Sequence, residues 1–129
     1  MSDRKLVSSG SPFEREIGFS RAVRVGDFIT VAGTAPIAAG GGVAGKGDVY
    51  AQSKRCLEII VKAVEDAGGA AAHITRVRVM LTDPKLWRDA ARAHGETFRN
   101  IRPATTFVAV TGFIDPDWLV EIEADAIVE

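Results

Sequence analysis

The chain has 129 residues, with 47% apolar and 26% charged residues and a formal net charge of −1. That composition fits one globular domain spanning residues 1–129, and the length is too short for two ordinary domains. The lack of a basic excess argues against nonspecific nucleic-acid binding, which rests on neutralising phosphates.

The first strand is expected at Lys5 to Ser8, followed by turn chemistry at Ser9-Gly10-Ser11-Pro12. Arg21 to Val25 and Phe28 to Ala32 read as two strands joined by a two-residue turn, Gly26-Asp27, in which glycine supplies a positive φ. Gly33 to Gly47 reads as a long loop. From Asp48 the period becomes helical. Val49, Ser53, Cys56, Leu57, Ile60, Val64 and Ala67 share one face, with Asp48 as the cap and Gly68-Gly69 as the stop.

Val77, Val79 and Leu81 alternate with Arg76, Arg78 and Met80, which predicts a strand. Asp83-Pro84 should open a second helix, with Trp87, Ala90, Ala91, His94, Phe98 and Ile101 on its apolar face. Thr105 to Thr111 and Leu119 to Val128 complete the strands. The order is ββ(β)-α-β-α-β-β: an α+β protein with a single mixed sheet and two helices on one face.

The last strand sorts into two faces. Val120, Ile122, Ala124, Ala126 and Val128 should lie under the helices, and Glu121, Glu123 and Asp125 should point away, where Arg76 and Arg78 can pair with them. Phe28, Phe107 and Ala109 are expected to share that second face. A face of mixed apolar and charged character predicts partial cover by another subunit.

Cys56 is the sole cysteine, so no internal disulfide can form, and a reducing, cytoplasmic setting is expected. No basic-then-apolar leader and no apolar run of membrane length is seen, so no membrane association is expected. Two separated histidines and one cysteine do not make a metal site, and no cofactor is implied.

Gly40 to Gly47 nearly matches the phosphate-binding loop G-x-x-x-x-G-K-[S/T], but Gly47 stands where the Mg²⁺-ligating hydroxyl belongs. His94 reads by default as a partly buried core histidine. Glu121 has two readings. It is either paired across the sheet with Arg76 or Arg78, or it is a proton-handling group in a cleft between subunits.

Several segments resemble the YjgF/YER057c (RidA) family. Ile17-Gly18-Phe19-Ser20 is similar to its "GPY" segment, Val31-Ala32-Gly33-Thr34-Ala35-Pro36 to "SGQxP", and Asp48-Val49-Tyr50-Ala51-Gln52-Ser53 to "xVxAQTxQ". Val77 to Asp83 resembles "TTVFLxD", Pro103-Ala104-Thr105-Thr106 stands where the family has "PARS", and Leu119 to Ala124 is similar to "VEIEAIA". The resemblance runs from about residue 17 to residue 128.

It implies a chorismate-mutase-like fold and a homotrimer with small-molecule sites in clefts between neighbours. It also implies hydrolysis of reactive enamines and imines, the arginine of "PARS" gripping a carboxylate and the glutamate of "EIEA" positioning water. Carried onto this chain, that glutamate is Glu121. The arginine position is Thr105, the position two beyond is Phe107, and the serine, tyrosine and asparagine positions are Ala32, Phe19 and Ala91. Gly33 completes the lining, and Arg21 and Arg102 flank the matching segments as cations that can replace the lost arginine. Threonine cannot form arginine's bidentate ion pair. The resemblance therefore implies a reactive-metabolite hydrolase with non-standard anchoring. A non-catalytic ligand-binding trimer is the alternative, and the third reading is the endoribonuclease or translation-inhibitor role often attached to the family.

Overall fold

A computed structural model describes residues 3–129. The elements run β1 (Arg4–Val7), α1 (Pro12–Ile17), β2 (Ala22–Val25), β3 (Phe28–Thr34), α2 (Val49–Asp66), β4 (Ile74–Leu81), α3 (Trp87–Phe98), β5 (Ala104–Ala109) and β6 (Val120–Ile127). One six-stranded sheet has the order β1-β2-β3-β6-β4-β5. Among the described residues only the β4–β5 pair is parallel, because α3 crosses between those two strands. The sheet is thus mixed and carries α2 and α3 on one face, as the sequence implied.

The local signals explain most of the elements. Asp48 caps α2 by accepting a hydrogen bond from the Ala51 amide at 3.1 Å, and Gly68, with φ 89°, ends it. The α2 stripe of Cys56, Leu57, Ile60 and Val64 is buried against Ile29, Val31, Val77, Val79, Val120 and Ile122 of the sheet. Each such side chain contributes about 1.5–3 kcal/mol on leaving water. Gly26, with φ 60°, turns the β2–β3 hairpin.

Four expectations need correction. The segment after Ser9 is more than a turn. Ser11 caps a short helix, its hydroxyl accepting from the Phe13 amide at 3.3 Å, with Pro12 at the first position. Asp83 caps a 3₁₀ turn at Pro84–Leu86, and α3 starts only at Trp87. Trp87 is exposed, with the Arg88 guanidinium 4.7 Å from its ring, and so is not on the buried stripe. Phe107 and Ala109 lie on the helix face, not the second face. Phe107 is paired with Val79 and Ala109 with Leu81, both buried under the helices, and paired residues project to the same side.

The open face does hold mixed chemistry. Arg78 is paired with Glu123, and Arg76 lies 3.9 Å from Asp125. The same face carries Leu6 on β1, 60% exposed, and Phe28 on β3, 63% exposed. No helix among the described residues is long and apolar enough to cross a membrane.

Candidate functional site

The sheet departs from regular register beside Glu121. Val31 pairs with Ala124 and Thr34 with Ile122, so Ala32 and Gly33 together oppose Glu123. This β-bulge on β3 returns Thr34 to the buried face. A Cβ at Gly33 would lie 3.3 Å from Oε1 of Glu121.

Arg21, just before β2, reaches the same place. Its Nη2 donates to the Gly33 carbonyl at 2.7 Å, while its own carbonyl accepts from the Ala32 amide at 3.0 Å. Its guanidinium lies 5.7 Å from the Phe19 ring, and its Nε is buried without a partner. Burial lowers the Arg21 pKa, and the charges of Glu14 and Glu121 oppose that shift.

Glu14 on α1 is itself buried and accepts hydrogen bonds from the Ser9 amide and hydroxyl. Burial pushes its pKa up, but the serine hydrogen bonds and Arg21 outweigh that and hold it below the ordinary value.

Glu121 is not paired with Arg76 or Arg78. Its register partner on β4 is Met80. Burial raises its pKa, Arg21 works against that, and Glu123 adds to it. The result is a half-buried carboxylate with a raised proton affinity, held between a bulged backbone and a partly desolvated guanidinium.

Phe19, Arg21, Ala32, Gly33 and Glu121 therefore converge. Thr105, Phe107 and Ala91 do not join them within one chain. Thr105 pairs with Val77 on the helix face, two strands and three residues away from the Met80–Glu121 position. That is a separation of about 14 Å at ordinary strand spacings. These residues gather instead around His94, which the sequence offered only as a core histidine. Its Nε2 lies 2.9 Å from the Thr105 hydroxyl, and its ring is 6.0 Å from Phe107. Ala91 sits one turn earlier on α3. Arg102 is exposed, with φ 59°, its amide donating to the Phe98 carbonyl at 2.8 Å where α3 ends.

A second residue missed in the sequence is Gln52, fully buried in the first turn of α2. Its amide donates to the Asp117 carbonyl at 3.0 Å and accepts from the Leu119 amide at 2.8 Å, fixing the chain two residues before Glu121.

The glycine-rich loop does not cradle phosphate. Asp48 already occupies the α2 N-terminus, and Lys46 lies 3.5 Å from Asp117. Cys56 is fully buried, and burial pushes its thiol pKa up, so it is a poor nucleophile. Among the described residues no cluster of three or more His, Cys, Asp or Glu is placed to hold a metal ion.

The sequence profile described as endoribonuclease L-PSP matches residues 11–128. The chain belongs to the YjgF/YER057c/UK114 family. It is 41% identical over 122 residues to the Streptomyces coelicolor protein SCO2049, covering 95% of this chain and 90% of that one. It is 36% identical to a RutC family protein of Pyrococcus abyssi, covering 84% of each. The crystal structure of Rv2704 from Mycobacterium tuberculosis superposes with a TM-score of 0.87 at 44% identity, covering 98% of this chain and all of that one.

Proposed function

We propose that this YjgF-family chain forms a homotrimer and hydrolyses a small reactive imine or enamine in the clefts between its subunits. The observation that carries the reading is the environment of Glu121: half-buried, raised in pKa, and paired with no cation on the neighbouring strand. A carboxylate in that state suits proton transfer near neutral pH better than an ordinary surface glutamate does.

The chemistry needs only water. Glu121 takes a proton from a water whose oxygen bonds to the C=N carbon, and the π pair moves to nitrogen, which receives that proton back from Glu121 to give an amino alcohol. Glu121 then takes the hydroxyl proton and passes it to the amine nitrogen as the C–N bond breaks, so that ammonia leaves and a C=O group remains. Arg21 limits how far the Glu121 pKa rises, and Gly33 leaves room for the carboxylate.

The cleft supplies what one chain lacks. Glu121 and Thr105 lie on opposite faces of one sheet, so a site containing both draws them from different copies. The open face, which carries Phe28 and Leu6 as well as ion pairs, has the mixed character of a surface that a neighbour covers. Sedimentation should give three times 13.7 kDa.

A second reading is a ligand-binding trimer without turnover. It is favoured by the apolar or hydroxyl residues Phe19, Ala32, Ala91 and Thr105 at positions where the family resemblance places hydrogen-bonding or cationic side chains. RNA cleavage, named in the family description, is the weakest reading. The net charge is −1, and the arginines of the open face are neutralised by Glu123 and Asp125.

The test is a coupled assay in which a threonine dehydratase makes 2-iminobutanoate in place and ketoacid release is followed. Acceleration by the wild type that is lost in Glu121→Gln is expected. Equal rates with Glu121→Gln end the hydrolytic reading. A gain seen only in Thr105→Arg moves the assignment to the binding trimer.

A further inference from the structure

The β4–α3–β5 unit carries a polar pair that the water-activating step at Glu121 does not use. His94 Nε2 and the Thr105 hydroxyl are 2.9 Å apart, and that hydroxyl also lies 3.1 Å from the Pro103 carbonyl. The hydroxyl has one proton. If it goes to Pro103, His94 donates from Nε2 and keeps Nδ1 as an acceptor. If it goes to His94, Nδ1 carries the ring proton. Either arrangement leaves Nδ1 as the outward hydrogen-bonding atom. His94 is only partly buried, and Nδ1 has no hydrogen-bond partner among the described residues.

The surroundings are apolar. The imidazole tilts against Phe98 at 4.9 Å and Phe107 at 6.0 Å, which fix its plane. Burial lowers the His94 pKa, so near neutral pH the ring is uncharged.

We infer that His94 and Thr105 form the specificity end of the proposed cleft and select a ligand group that is uncharged, such as a carboxamide or ketone, over a carboxylate. An apolar wall with one neutral donor–acceptor pair satisfies an amide or carbonyl. It cannot compensate a carboxylate for the water it loses there, which takes a paired cation. Arg102 is the nearby cation, but it is exposed beyond the end of α3 and makes no side-chain hydrogen bond or ion pair among the described residues. The inference rests on the proposed cleft and requires no turnover in it.

Binding of 2-oxobutanamide and 2-oxobutanoate to the full chain, followed by calorimetry, tests it. The neutral amide should bind at least about 10-fold tighter than the acid, because a desolvated carboxylate without a cation loses more than one hydrogen bond. Thr105→Val and His94→Gln, on two different elements, should each weaken amide binding by about 3- to 10-fold. Thr105→Arg should invert the preference. The inference is overturned if the acid binds as tightly as the amide, above all if Arg102→Ala then abolishes it. It is equally overturned if neither probe binds, or if both Thr105→Val and His94→Gln leave the amide affinity unchanged. Amide-selective binding without imine turnover supports the inference while removing the hydrolytic reading.

Discussion

Glu121 and Gly33 lie so close that a Cβ at position 33 would stand 3.3 Å from Oε1, a tight contact that the carboxylate can relieve only by shifting. Gly33→Ala should therefore cost little stability, because the atom that must move is the end of a flexible side chain. The carboxylate is nonetheless displaced by a few tenths of an ångström. A fall in kcat of about 10-fold is expected from such misplacement, with the unfolding midpoint nearly unchanged. A variant with wild-type kcat would show that Glu121 needs no fixed position.

If Glu121 is the base of the proposed hydrolysis, its charge state sets the acid limb of activity. Burial raises its pKa, so the limb should lie above that of an ordinary carboxylate, with the active, deprotonated form lost as pH falls through the raised value. Arg21 pulls the pKa down, so Arg21→Gln should move the limb to higher pH. A limb that stays put in pH–rate profiles, normalised to folded protein, would remove Arg21 from this role.

His94 makes stability depend on pH in the opposite sense to a salt-bridged histidine. Its folded pKa lies below the ordinary 6.5, so the unfolded chain takes up the proton first as pH falls. The stability present above 6.5 is lost progressively as pH drops below it toward the folded value. Thermal melts should show a steeper decline below pH 6.5 for the wild type than for His94→Gln. Parallel curves would contradict a desolvated ring.

Gln52 is a structural tie with a functional end. Gln52→Leu leaves the Leu119 amide and the Asp117 carbonyl without partners beside the start of β6. A loss of about 2–4 kcal/mol is expected from two orphaned backbone groups, read from urea unfolding. A loss below about 1 kcal/mol would mean water replaces the side chain.

Elements carried by local chemistry were legible in the sequence. The α2 stripe runs from Val49 to Val64 between an aspartate cap and a double glycine, and the alternation in β6 puts Glu121, Glu123 and Asp125 on the face of Arg76 and Arg78, although which of them pair is set by register. The α1 helix escaped because six residues do not complete two turns and its cap, Ser11-Pro12, also reads as a turn. Phe107 lies on the opposite face from the one its sequence suggests, because alternation gives the spacing of side chains but not their phase. The parallel pairing with β4 sets that phase, and it depends on a crossover that no local pattern encodes.

Half of the candidate site was visible as residue types and half only as geometry. Glu121 and Thr105 stand out from their motifs. The bulge that brings Gly33 against Glu121 depends on a count of residues in two strands far apart in sequence. Arg21 stands out in the sequence only as a cation flanking the matching segments, and its hydrogen bond to the Gly33 carbonyl is visible only as geometry. His94 gave no signal beyond its place on an apolar stripe, because its partner Thr105 lies across a helix–strand junction.

The separation of Glu121 from Thr105 across two faces of one sheet has a genetic consequence. Chains damaged at one residue remain whole at the other. In an assembly whose clefts join unlike faces of neighbouring copies, a Glu121 variant and a Thr105 variant mixed before assembly would rebuild some intact clefts from two defective parents. A site confined to one chain would show no such rescue.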